Sequence, residues 1–212
     1  MDIRNYIEDY ATQPITHQLL TSILKNYKSP NDKINSLKVD GLLQSIKKGL
    51  YVAGPKIRSS KPENRLLANH IYGPSYVSME TALAYYGLIP ERVYEMASMT
   101  TKLSKSFHTP VGTFTYTHLP LPYYAFGINM IKLSETQRAI IASPEKALCD
   151  KIIATSGIQL RSTVQATAYL LEDLRMDESA LKSLELPVIR TWLDDAPKKD
   201  SLQILIKTLE LL

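Results

Sequence analysis

The chain has 212 residues, 44% of them hydrophobic and 22% charged, with a formal net charge of +4 at pH 7. That balance belongs to a globular protein able to bury a core, in one domain or two, and no apolar run nears the roughly 20 residues of a membrane-spanning helix. The polar start MDIRNYIEDY is not expected to be a secretory signal, and the single cysteine, Cys149, excludes an internal disulfide, which suits a reducing, cytoplasmic setting.

The charge is local. Between residues 25 and 61, nine Lys/Arg stand against two acids, Asp32 and Asp40. Residues 66–212 carry 14 basic and 15 acidic side chains. A local basic excess is either a solvated face or an attraction for phosphate backbones.

Ile3, Tyr6, Ile7 and Tyr10 fall at i, i+3, i+4 and i+7, which predicts an amphipathic helix over 2–11 ended by Pro14. Thr16 can cap a second helix whose apolar stripe is Leu19, Leu20, Ile23 and Leu24. Ser29-Pro30 is a further start signal, with proline at the first helical position. It opens a third helix over 30–41, with Ile34, Leu37 and Gly41 along one face. The period then changes. Residues 42–46 and 50–53 read as two short strands joined by Lys47-Lys48-Gly49, a hairpin signal. Three helices followed by a hairpin, in about 50 residues, is the order of a winged helix-turn-helix.

On a helical wheel Pro30, Ile34, Leu37 and Gly41 form the buried side of the third helix. Asp32, Asn35, Ser36 and Val39 lie opposite, flanked by Lys33 and Lys38. Short polar residues toward base edges and a lysine on each side suit a helix in a major groove. Asn35 would meet an adenine edge, Val39 a thymine methyl, and Lys47 and Lys48 at the hairpin tip backbone phosphates. Small domains of this kind also serve as protein–protein modules, with lysines that only keep them soluble.

The polar stretch 54–62 is the predicted boundary, giving a domain over 1–60 and a second over 61–212. In the second, helices are expected over 63–72 and 79–86, with 76–78 extended. Strands are expected over 92–99, 113–118, 123–131 and 140–142, arranged as an antiparallel sheet. Ser143-Pro144 starts another helix, through 153. From 165 onward the signal is helical, broken near Met176, Pro187 and Pro197. The expected fold class is therefore α+β, with a sheet-containing part over 61–155 and a helical part over 156–212.

No catalytic motif emerges. His17, His70, His108 and His118 lack metal-ligand spacing, although His108 and His118 flank one predicted strand. There is no phosphate-binding glycine loop and no GxSxG. Cys149 in KALCDKII reads as a core residue, and Glu145-Lys146 does not match the spacing of a metal-dependent nuclease. The expectation is a non-enzyme without cofactor or metal. Eight of the 13 tyrosines lie between Tyr72 and Tyr124, as strand residues or as a half-buried binding surface.

Four segments together resemble the AbiEi family: GLLQSIKKGLYVAG, IYGPSYVSMETALAYYGLIP, FHTPVGTFTYTHLP and IIASPEKALCDKI. The likeness runs from about residue 15 to 155. Its most specific parts are the Gly-Leu-Tyr-Val end of the hairpin and the run from Ser78 to Leu88. These families are antitoxins and transcriptional regulators of abortive-infection, type IV toxin-antitoxin systems. The resemblance implies an N-terminal winged helix that binds inverted repeats in the promoter of its own operon. It also implies a C-terminal domain that neutralises a cognate nucleotidyltransferase-like toxin, without need of a stable complex, and no catalysis. Many relatives have an arginine-richer wing than Lys47-Lys48. Lysine is a point charge and not a bidentate fork, which shifts the expected contacts toward phosphates. The alternatives are a stand-alone winged-helix regulator whose C-terminal domain senses a ligand, or an unrecognised enzyme acting on nucleic acid.

Overall fold

The computed structural model describes residues 2–212. α1 (Ile3–Asp9) starts where the Asp2 carboxylate accepts the Arg4 N–H. β1 (Ile15–Thr16) leads directly into α2 (His17–Ile23), where the Thr16 hydroxyl accepts the Leu19 N–H at 3.2 Å. α3 (Pro30–Val39) follows, then an antiparallel hairpin of β2 (Leu43–Lys47) and β3 (Leu50–Ala53). β1 joins the free side of β3 through Ile15–Tyr51 and Thr16–Leu50, giving three strands in the order β1-β3-β2. Around these elements Ile7, Leu20, Ile34, Leu37, Leu43 and Ile57 form one apolar core.

The hairpin belongs to two cores. β3 is buried at all four positions. Tyr51 and Ala53 pack into the N-terminal core, whereas Leu50 and Val52, with Ile46 of β2, pack into the larger one. Strand alternation, which usually separates core from solvent, here separates one core from another.

The stretch 54–62 is tied down. A Cβ at Gly54 would lie 2.3 Å from the Gly41 carbonyl oxygen, so only glycine allows the chain to pass there. Ile57 is buried, and the Lys61 ammonium donates to the carbonyls of Ala53 (2.6 Å) and Gly54 (2.7 Å). A second tie comes from the Gln13 amide, which donates to the Thr136 carbonyl at 2.6 Å.

The remaining elements are α4 (Asn64–Ile71), β4 (Ser75–Val77), α5 (Met79–Tyr85), β5 (Met96–Thr100), β6 (Lys105–Thr109), β7 (Gly112–His118), β8 (Ile128–Lys132), β9 (Arg138–Ala142) and α6 (Pro144–Ala154). Six strands form a sheet in the order β6-β7-β5-β4-β9-β8. This mixed sheet corrects the antiparallel expectation, because β5 pairs with β7 and β4 with β9 in parallel. Burial explains the order. β7 buries Phe114 and Tyr116 and β9 buries Ala139, Ile141 and Ala142, so both take interior positions. Their hairpin partners β6 and β8 expose Lys105, Ser106, His108, Asn129 and Lys132, and take the edges. The expected strand over 123–131 is divided: Tyr123–Ala125 is a 3-10 turn and only β8 is extended.

α7 (Thr163–Ala168) runs into a π-helical turn, Tyr169–Asp173, followed by α8 (Glu178–Lys182), α9 (Leu186–Trp192) and α10 (Lys199–Leu209). The expected break near Pro187 falls between α8 and α9, and Pro187 itself sits in the first turn of α9. This helical part has no core of its own: Leu170, Ile189, Trp192 and Leu202 share a cluster with Leu148 and Ile152 of α6.

At the centre of that cluster is an ion pair. Lys146 and Asp150, one turn apart on α6, are fully buried with their charged atoms 3.2 Å apart. The other Asp150 oxygen accepts from the hydroxyls of Tyr76 (2.9 Å) and Ser78 (2.7 Å). The Lys146 ammonium donates to the Tyr123 carbonyl (2.9 Å) and stands 3.2 Å from the centre of the Tyr123 ring. Gly127, at φ +59°, allows this crowding, since a Cβ there would lie 2.8 Å from both the Lys146 Cβ and the Trp192 ring. Burial pushes the Asp150 carboxyl above its ordinary range and the Lys146 ammonium below, and their mutual attraction opposes both shifts.

Asp150→Asn removes one charge and strands the other, so it is expected to cost about 3–5 kcal/mol in urea unfolding. Adding Lys146→Met should recover part of that loss, and purely additive effects would mean the two charges are not coupled. Leu50→Ala should cost about 2–5 kcal/mol and lower a single transition common to both units. Two separable melts, with only one moved, would show that the hairpin does not couple them.

Candidate nucleic-acid interface

α3 buries Ile34 and Leu37 in the N-terminal core, which fixes its rotation. The residues expected opposite are indeed outside: Asp32, Asn35, Ser36, Lys38 and Val39 are exposed, and Lys33 is half-buried. Val39 is 87% exposed, an apolar side chain with nothing of this chain over it.

Several of these side chains already have partners. The Ser29 hydroxyl donates to the Asp32 carboxylate at 2.5 Å, and an acid in the first turn also complements the helix dipole. Asp32 therefore has a local role in starting the helix. The Ser36 hydroxyl donates to Asp40 (3.1 Å), and the Lys38 ammonium to the Asn35 carbonyl oxygen (3.3 Å). The Lys33 ammonium lies 5.6 Å from the centre of the Tyr27 ring. All these partners are exposed, and each bond is replaceable by a bond to a ligand.

The hairpin lysines differ from each other. Lys48 is exposed at the turn. Lys47 turns inward: its ammonium donates to the Ile71 carbonyl at the end of α4 and lies 6.0 Å from the centre of the Phe107 ring. This corrects its expected place beside Lys48 at a free tip. The reason is a bulge in β2: the register shifts between Ser45 and Lys47, so that Lys47 pairs with Leu50 and shares its side of the hairpin, which is pressed against the larger core.

Around Lys47 the fold gathers two further lysines that sequence patterning did not single out. Lys102 donates to the Gly73 carbonyl at 2.5 Å and lies 5.2 Å from the Tyr72 ring; Lys105 lies 5.1 Å from the Phe107 ring. Both are exposed. Burial first, and then repulsion from Lys102 and Lys105, pull the Lys47 ammonium below its ordinary range. The available signal was the alternation of Lys105, Phe107 and Thr109, masked by its lying in a stretch too polar to read as a strand.

Two further expectations meet the geometry here. His108 contacts the Thr113 hydroxyl and His118 the Lys102 carbonyl, at opposite ends of the β6–β7 ladder, so the histidines are not brought together. Cys149 is fully buried, and burial pushes its thiol well above the ordinary range. Among the described residues no group of three His, Cys, Asp or Glu is placed to hold a metal ion. Among them, too, no helix is long and apolar enough to cross a membrane.

No family model matches this chain, and no curated protein does. Among solved structures, the fold is similar to that of a mycobacterial protein. This is the Rv2827c protein of Mycobacterium tuberculosis, at 13% identity and a TM-score of 0.54, over 97% of this chain and 80% of that one. The likeness concerns the fold alone, and it extends over both units.

The two hairpin lysines should separate on substitution. Lys48→Ala is expected to leave the melting behaviour within about 0.5 kcal/mol of the parent. Lys47→Ala takes a donor from a part-buried carbonyl and should cost about 1–3 kcal/mol. Equal effects in urea unfolding would contradict the inward placement of Lys47.

Proposed function

We propose that residues 1–60 form a winged helix-turn-helix that binds promoter DNA. On this reading α3 is the recognition helix and the β2–β3 hairpin is the wing. The observation that carries it is the outward face of α3, where Asn35, Ser36 and Val39 are exposed between Lys33 and Lys38 while Ile34 and Leu37 hold the helix in place. Asn35 carries the donor and acceptor that an adenine edge requires, and the Val39 methyls suit a thymine methyl. Lys48, with Lys105 beyond the wing, supplies phosphate contacts that add affinity but no sequence information.

The resemblance to AbiEi extends the reading. The chain is then an autoregulatory repressor of its own operon and an antitoxin against a nucleotidyltransferase-like toxin, acting in the cytoplasm without catalysis. Neutralisation is assigned to the second unit, whose charge is near balance and whose surface suits protein contact better than a polyanion.

The DNA arm is tested by measuring affinity for the chain's own promoter against a random duplex across a salt series. Log K should fall by about 0.9 for each phosphate neutralised. Lys48→Ala combined with Lys105→Ala should weaken both duplexes alike and flatten the slope. Asn35→Ala should cost about 1–3 kcal/mol on the promoter only. A salt-independent affinity, or none, overturns the reading. For the antitoxin arm, the full chain carrying Asn35→Ala and Lys48→Ala is co-expressed with the adjacent toxin. Growth should be rescued while repression is lost. Loss of both together, in a protein that still melts cooperatively, would place neutralisation in the DNA-facing surface as well.

A further inference from the structure

We propose that a cleft over strands β5 and β7 binds a small organic cation, an amine or guanidine with a short apolar body. On one face of β7, Phe114 and Tyr116 are buried in the core. On the other, Thr115 and Thr117, with Ala97 of the parallel neighbour β5, line a cleft of about 790 Å³. No floor side chain exceeds threonine in size, so the sheet leaves this space open. The volume falls within the roughly 300–1,000 Å³ of small-molecule sites. Met79, Ile89, Val93 and Leu174 supply apolar wall.

The charges decide what fits. Every cation of the cleft already has a partner: Lys151 pairs with Glu80, and Arg175 with Glu91 at 3.4 Å. The Arg92 guanidinium lies 5.6 Å from the centre of the Tyr94 ring. Glu95 and Asp173 also line the cleft, and neither takes part in any of the ion pairs formed there. The uncompensated charge is thus negative. Beside it the Tyr94 ring is 80% exposed and already accepts a guanidinium over its face. Carboxylate and aromatic face together are the chemistry that holds organic ammonium and guanidinium groups. Arg92 is then an internal stand-in that a ligand displaces.

The backbone agrees. Among the described residues, the two non-glycine residues at left-handed φ are Met79 (+52°) and Arg175 (+47°), and both line this cleft. The π-helical turn ends at Asp173, at its rim. Such conformations are costly to hold and gather at ligand sites.

The probe is agmatine, titrated calorimetrically into the full chain at low salt, with glutarate as a probe of similar length and opposite charge. One saturable site is expected for agmatine and none for glutarate. Glu95→Gln with Asp173→Asn should weaken agmatine by about tenfold or more. Tyr94→Leu should weaken it too, whereas Arg92→Ala should tighten it several-fold by freeing the ring. All four side chains are exposed, and thermal melts check that each variant remains folded. Because Tyr94→Leu and Arg92→Ala are expected to act in opposite directions, a general loss of structure cannot imitate the pattern. No agmatine binding, binding unmoved by the carboxylate substitutions, or glutarate competing for the same site overturns the proposal.

Discussion

The larger unit is organised around a charge pair taken wholly out of water. Burying an ammonium and a carboxylate costs several kcal/mol for each ion, and attraction offsets this only where the geometry is held. Lys146 and Asp150 are held from several directions at once: Tyr76 on β4, Ser78 ahead of α5, and the Tyr123 carbonyl and ring in the 3-10 turn. An apolar pair of equal volume could stabilise the core as well, yet it would not require oxygen atoms at set places. The pair therefore fixes position more than it adds stability. It registers α6 against the sheet, and through Gly127 and Trp192 it sets how close α9 can come.

That fixed unit in turn determines how the small N-terminal one is presented. The β2–β3 hairpin gives Tyr51 and Ala53 to one core and Leu50 and Val52 to the other. A hairpin attached in this way cannot swing freely, and the ties from Gln13 to Thr136 and from Lys61 to Ala53 and Gly54 act in the same sense. Removing residues 1–62 would uncover the apolar surface that Ile46, Leu50 and Val52 now cover. The composition break at 54–62 marks a change of charge and not a flexible hinge. On the DNA reading, the orientation of α3 relative to Lys105 is then preset and does not have to be ordered on binding, which spares affinity that cost.

What was legible in the sequence was what local chemistry specifies. Thr16 and Ser143 accept helix N–H groups as capping residues, at Leu19 and Lys146, and Pro30 and Pro144 sit in first turns. The wheel of α3 placed Ile34 and Leu37 inside and Asn35, Ser36 and Val39 outside, because a 3.6-residue period leaves little freedom once one face is apolar. What was not legible depended on partners distant in the chain. β1 is two residues long and exists because β3 offers it a free edge. β6 is too polar to look like a strand, and the same polarity sends it to the edge and makes β7 parallel to β5. Lys146 and Asp150 at i and i+4 read equally well as a surface pair. Only the assembled core shows that no water reaches them.

The lysines show why charge counts mislead at this resolution of argument. Lys47 gives its ammonium to Ile71, Lys61 to Ala53 and Gly54, and Lys146 to Tyr123. Lys198 gives its own to three carbonyls, those of Ile152, Thr155 and Ile158, at 2.7–2.9 Å, closing the end of α6. Two of these four belong to the nine basic residues between 25 and 61 whose excess first pointed to a polyanion. Their charge still contributes to the long-range field, but their donors are committed to the fold. A phosphate is drawn by the first property and held by the second. Lysines left for holding include Lys48 at the turn, Lys38 on α3 and Lys105 on β6, all three exposed and none bonded to a backbone carbonyl. On the DNA reading, such a surface attracts a duplex with its whole charge and discriminates with the few groups on α3 that the fold has not already used.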